Sequence, residues 1–181
     1  MSKASRRKCA VFPGQFDPVT KGHLDIIHRS RGLFDLLIVA VGINPEKREI
    51  FTVQERAAML RQLLRGTRGV RVATYHGLTV DFVRRNQATT ILRGIRDVSD
   101  LRHEFQLAMA NRAVGGVETV FIMAGEQHAL TRSSLIRQVM DLGGDVGKLR
   151  GLLPGLVIQR LRQKQRALGL RKADDPSEID T

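Results

Sequence analysis

The chain has 181 residues, 42% of them apolar and 27% charged, which is room for one ordinary domain with a real core and not for two. Its formal charge is +12, yet no apolar run approaches the ~20 residues needed to span a bilayer, and no apolar signal segment follows the basic start. One cysteine, Cys9, excludes an intramolecular disulfide and a cysteine-clustered zinc site, so a reducing, cytoplasmic setting is expected.

The placement of the charge matters more than its size. The first eight residues carry four basic side chains and no acid, residues 156–172 carry six and no acid, and residues 173–181 carry four acids and no base. Half of the net charge therefore belongs to the ends. The middle is only moderately basic, and with no Trp, one Tyr and 4% aromatic residues it offers few platforms for stacking bases. Small anionic ligands account for its basicity as well as a nucleic acid does. The expected organisation is a basic tail over residues 1–7, one domain over 8–168 and a charged tail over 169–181.

Residues 9–12 form a short apolar run that stops at Pro13-Gly14, as a buried strand does. Leu24, Ile27, Leu33 and Phe34 recur at broadly helical spacing, so a helix is expected over 23–34. Residues 36–41 are six apolar positions in a row, rich in branched side chains, and read as a strand buried on both faces. Thr52-Val53-Gln54-Glu55 has capping-box spacing and opens a helix running to about residue 64, with Gly66 behind it. The alternation repeats as strand 70–74, helix 78–86, strand 90–92, helix 100–114 and strand 118–123. Residues 133–141 and 156–168 add two more helices. Five strands alternating with helices predict an α/β fold with a doubly wound, Rossmann-like parallel sheet of five strands and helices on both faces. Ligands of such sheets bind outside the carboxyl ends of the strands.

The turn after the first strand runs from Pro13 to His23 and contains neither GxGxxG nor GxxxxGK[ST], so neither of those phosphate cradles is available. Gly22 allows a close approach, and His23 opens a helix whose free N–H groups and dipole attract phosphate. Taken alone, such a histidine is a satisfied polar residue more often than a catalyst. In context, Thr20-Lys21-Gly22-His23 behind a Pro-Gly-x-Phe-Asp-Pro turn resembles the (H/T)xGH signature of the nucleotidyltransferase superfamily. The ordered set that follows is similar to the bacterial phosphopantetheine adenylyltransferase family over about residues 8–165. It comprises Asn44-Pro45-Glu46-Lys47, Phe51-Thr52-x-x-Glu55-Arg56, Arg93-Gly94-Ile95-Arg96, Glu104-x-Gln106-Leu107-Ala108, Asn111-Arg112 and Ser133-Ser134-Leu135.

The resemblance implies transfer of AMP from ATP to the phosphate of 4′-phosphopantetheine, giving dephospho-coenzyme A and pyrophosphate, a step of coenzyme A biosynthesis. It implies catalytic roles for His23 on the α-phosphate and Lys47 on the acceptor phosphate. ATP contacts would come from Gln15, Phe16, His23, Gly94, Ile95, Arg96, Glu104, His128, Ala129, Leu130, Thr131, Arg132, Ser133 and Ser134, and acceptor contacts from Gln15, Lys47, Thr79 and Arg93. In-line attack needs no covalent intermediate, so donors and cations that align two polyanions suffice. Mg2+ is expected to arrive with ATP, held by phosphates and waters. No side-chain metal cage is expected, since His23 and His28 lie roughly 140° apart around a helix. A homohexamer is likewise implied.

The chain departs from the pattern at Gln15, where Thr is common, and at Thr131-Arg132-Ser133-Ser134, where a hydroxyl is exchanged for a cation. His128 and Ala110 replace bulkier side chains. Simpler readings exist for single motifs: a solvated basic loop for Arg93 to Arg96, a surface pair with Arg102 or His103 for Glu104, and helix N-capping for Ser133 or Ser134. Two other functions stay open, a related enzyme acting on nicotinamide mononucleotide or an alcohol phosphate, and a basic nucleic-acid-binding protein.

Overall fold

The structure, a computed structural model, describes residues 7–43, 49–128 and 131–170. Five strands, β1 (Cys9–Gly14), β2 (Leu36–Val41), β3 (Val70–Thr74), β4 (Thr90–Ile95) and β5 (Glu118–Met123), form one sheet in the order β3-β2-β1-β4-β5. Every pairing is parallel, and the winding reverses between β1 and β4, as the alternation predicts. The helices are α1 (Lys21–Ser30), α2 (Val53–Leu63), α3 (Thr79–Arg85), α4 (Val98–Gly115), α5 (Ser133–Asp141) and α6 (Gly155–Ala167).

Successive side chains of the inner strands feed two cores. Ala10 and Phe12 of β1, with Leu37, Val39 and Val41 of β2, pack against Ile26 and Ile27 of α1, Leu60 of α2, Ile136 of α5 and Leu161 of α6. Cys9, Val11, Ile38 and Ala40 face the other way, onto Val80 and Val83 of α3. Most of these side chains are fully buried, each worth ~1.5–3 kcal/mol over exposure, so the sheet is a stiff base for the loops at its carboxyl edge. The exception is α4. It buries only Gly115, where a Cβ would lie 2.5 Å from Val80, and it leaves Val98, Leu101, Phe105, Met109 and Val114 exposed.

Several boundaries differ from expectation for identifiable reasons. The first helix ends at Ser30 instead of 34, where the Ser30 hydroxyl donates to the carbonyl of Ile26 at 2.6 Å and the N–H of Arg31 closes the last turn on Ile27. β4 continues past Leu92 because Arg93, Gly94 and Ile95 pair in register with Phe121, Ile122 and Met123. Arg93 to Ile95 thus belong to a strand and not to a loop behind it. α4 starts at Val98 because the Asp97 carboxylate accepts the N–H of Asp100 at 2.8 Å and caps the helix. Short 3-10 turns at Glu126–His128 and Val146–Leu149 have no counterpart in the apolar spacing.

Candidate active site

An open cavity of about 520 Å³ runs along the carboxyl ends of the strands, where a doubly wound sheet places its ligands. At its centre is the turn after β1. Phe16 holds a left-handed backbone (φ 53°), and its ring lies edge-on to Phe12 and to the His23 imidazole, with centroids 5.5 and 5.0 Å away. A Cβ on Gly14 would come within 3.0 Å of that ring, so glycine is what lets the phenyl fold back over the strand.

His23 is tied into the start of α1 by a reciprocal capping box. The His23 N–H donates to the Thr20 hydroxyl at 3.3 Å, while the Thr20 N–H donates to Nδ1 of the imidazole at 3.1 Å. Because Nδ1 accepts a backbone proton, a neutral ring carries its own proton on Nε2, the donor it offers to the cavity it lines. Burial, and then the charges of Arg96 and Arg93, push the imidazole pKa down to about 4. The ring is therefore a neutral hydrogen-bond donor at physiological pH.

The cations around it are oriented in advance. Arg93 donates from Nε and Nη2 to both oxygens of Glu104 at 2.5 Å, and from Nη1 to the carbonyl of Pro13 at 2.8 Å. Arg96 forks onto Asp100 at 2.7 and 3.0 Å and reaches the Thr131 carbonyl at 3.0 Å. Glu104 is thus the partner of Arg93 and not of Arg102 or His103. Neither serine caps α5: its N-cap residue is Arg132, no side chain closes the helix start, and the Ser133 hydroxyl donates to the carbonyl of Pro18 at 3.0 Å. That uncapped helix start borders the cavity, with Ser134 and Arg137 beside it.

Two buried groups bolt the loops together. The Asp17 carboxylate accepts the N–H groups of Ile50 and Phe51 at 2.8 and 3.1 Å. Burial raises its pKa against those two bonds and the charges of Arg56 and Arg137. Arg56, fully buried, donates to the carbonyls of Phe51, Gln15 and Gly42 and pairs with Glu49. Both residues stand in the quoted motifs, but only their three-dimensional partners reveal that they anchor residues on either side of segment 44–48.

Gln15, Phe16, His23, Thr79, Arg93, Gly94, Arg96, Glu104, Thr131, Arg132, Ser133 and Ser134 all line the one cavity. Ile95 does not: its side chain is buried in the sheet and its carbonyl accepts the N–H of Ala124. His128 also faces elsewhere, into a recess with Lys21, Asp25 and His28. Lys47, Ala129 and Leu130 lie outside the described residues, and Ala110 is an exposed position of α4 outside the lining. The cavity also takes in polar residues outside those expected to touch ATP or the acceptor. Tyr75, the lone tyrosine, follows β3 and shares a 3.0 Å hydrogen bond with the Thr79 hydroxyl, and Asn111 and Thr119 join it. Among the described residues, the buried Thr119 and Thr131 hydroxyls have no hydrogen-bond partner.

A family model described as cytidylyltransferase-like matches residues 11–139. A phosphopantetheine adenylyltransferase of Alkalilimnicola ehrlichii is 51% identical over 158 residues, covering 86% of this chain and 89% of its own length. Another, of Syntrophus aciditrophicus, is 45% identical over 159 residues, covering 87% and 94%. The chain belongs to the phosphopantetheine adenylyltransferase family. It is a nucleotidyltransferase by the same evidence. The solved bifunctional NMN adenylyltransferase/ADP ribose pyrophosphatase from Francisella tularensis, 16% identical with a TM-score of 0.61 over 88% of this chain and 50% of its own, shares the fold of this family.

Proposed function

We propose that the chain transfers AMP from MgATP to 4′-phosphopantetheine. A phosphate oxygen of the acceptor attacks the α-phosphorus in line, the bond to the bridging oxygen breaks, and pyrophosphate leaves. The observation that carries this reading is His23, held by Thr20 as a neutral Nε2–H donor between two pre-oriented arginines. Charge growing on the α-phosphate meets a donor that needs no reorganisation. Arg93 receives the acceptor phosphate, and the family resemblance assigns Lys47 to the same phosphate. Arg96, the start of α5 with Ser133 and Ser134, and Arg132 receive the outgoing phosphates. Gln15 orients the nucleophile from the turn that Arg56 anchors. Tyr75, Thr79, Asn111 and Thr119 suit the amide-bearing arm of the acceptor, because they offer hydroxyl and amide partners in place of charge.

Magnesium enters as part of the substrate. The carboxylates lining the cavity, Asp17 and Glu104, are engaged by backbone N–H groups and by Arg93, so the donor set suits a metal carried by phosphates. A homo-oligomer, of six copies by family resemblance, accords with the apolar side chains exposed on α4 and with Val120 and Met123 of the edge strand β5. A cytoplasmic setting accords with a single free, buried cysteine, and no helix among the described residues is long and apolar enough to cross a membrane.

The test is pyrophosphate release from MgATP with phosphopantetheine, nicotinamide mononucleotide and glycerol phosphate offered in parallel. Release with phosphopantetheine alone is expected. Release with one of the others alone rejects the proposed acceptor.

A further inference from the structure

Three arginines reach the cavity beside three carboxylates of one helix. Asp97, the N-cap of α4, and Asp100 and Glu104 behind it are spaced three and four residues apart, hence on one face. They hold Arg132, Arg96 and Arg93 respectively. The pairs are unequal. The side chains of Arg93 and Glu104 are 25% and 12% exposed and those of Arg96 and Asp100 30% and 16%, whereas Arg132 and Asp97 are 46% and 37% exposed. Arg93 and Arg96 each have a second anchor on a backbone carbonyl, but among the described residues the Arg132 side chain has Asp97 alone. Arg132 also occupies the N-cap of α5 without capping it, and its guanidinium, beside the cavity, is committed to the N-cap of another helix.

We propose that Asp97 is a positioning residue: it parks Arg132 beside the phosphate end of the cavity and yields it to the terminal phosphates of ATP. The Asp97–Arg132 pair then helps set how tightly nucleotide and pyrophosphate are held. This inference rests on reading the cavity as an ATP site. An exposed ion pair is weak, and a polyphosphate with several negative charges outcompetes one carboxylate for a guanidinium fork. The outermost pair is the one to exchange, because the inner two arginines would leave part-buried carboxylates and backbone carbonyls without partners.

Asparagine caps a helix about as well as aspartate, so Asp97→Asn removes the charge and keeps the start of α4. Calorimetric titration of MgATP and of pyrophosphate into wild type, Asp97→Asn, Arg132→Ser and the double variant closes a thermodynamic cycle. Asp97→Asn should tighten both ligands ~1.5–5-fold, the range an exposed pair supports, and Arg132→Ser should weaken both. In the Arg132→Ser background Asp97→Asn should have no further effect, and phosphopantetheine affinity should stay level throughout. Unchanged or weaker binding by Asp97→Asn, or tightening that persists without Arg132, overturns the latch. Asp97→Ser, which also caps, replaces Asp97→Asn should the latter fail to fold. AMP transfer by the wild type separates the two failures. Wild type that neither binds ATP nor transfers AMP rejects the site reading and the latch together, whereas active wild type with a flat cycle rejects the latch alone.

Discussion

Helices α1 and α4 border the same cavity and are held in place by different forces. α1 buries Ile26, Ile27 and Ser30 and closes its first turn with the Thr20–His23 capping box. α4 is almost twice as long, buries only Gly115, and bonds to the rest of the site through Asp97, Asp100 and Glu104. Apolar packing is indifferent to charge in the cavity, so α1 can hold His23 in one geometry before and after two polyanions bind. The partners of α4 are the very cations those polyanions need. On the proposal that Asp97 yields Arg132 to ATP, the contact of α4 through Asp97 is the one that changes with occupancy, while those through Asp100 and Glu104 persist.

The largest expected effect is on the rigid side of that contrast. His23→Ala should cost ~10²–10³ in kcat while ATP binding and fold persist, because a preorganised donor acts on the transition state more than on the ground state. Near-normal turnover in the folded variant would remove His23 from the chemistry. Packing comes next. Ile27→Ala, in the core under α1, should destabilise by ~2–5 kcal/mol in urea titration. Leu101→Ala, 43% exposed on α4, should stay within ~0.5 kcal/mol when compared in the monomeric state. Equal losses would show that α4 is packed as α1 is. The smallest effect belongs to the ends: a chain cut to residues 8–168 should keep kcat/KM within about twofold at physiological salt, because the lining found runs from Phe12 to Arg137 and exposed charges are screened beyond ~8 Å. A severalfold loss in the folded truncation would bring the charged tails into the site.

The parts legible in the sequence are those that local pattern determines. β2 falls where six unbroken apolar residues place it, since burial on both faces of a parallel sheet leaves a strong local signature, and the part-buried edge strands β3 and β5 and the helix α5 also keep their expected bounds. β4 was legible only to Leu92, because Arg93 and Gly94 interrupt the apolar run and pairing with β5 decides the rest. The cavity lining followed largely from the motifs, yet its partnerships did not. Nothing local links Asp97 to Arg132 across 35 positions, or Arg56 to Gln15 across 41. Ile95 stands between two lining residues, Gly94 and Arg96, yet is buried in the sheet, and the 3-10 turn carries His128 into a recess with residues of α1, so closeness in the chain does not make a residue part of the lining.

The central claim is that the capping box holds His23 as a neutral Nε2–H donor, and nitrogen-detected NMR of the ligand-free protein reads it directly. The ring should be protonated on Nε2 and lose its neutral form only on acidification to about pH 4. A folded pKa below the ordinary 6.5 means that the unfolded chain takes up the proton first as pH falls. His23 therefore lends stability in full above pH 6.5, and that contribution is lost between there and about pH 4. An imidazole titrating near 6.5, or carrying its neutral-state proton on Nδ1, contradicts the account.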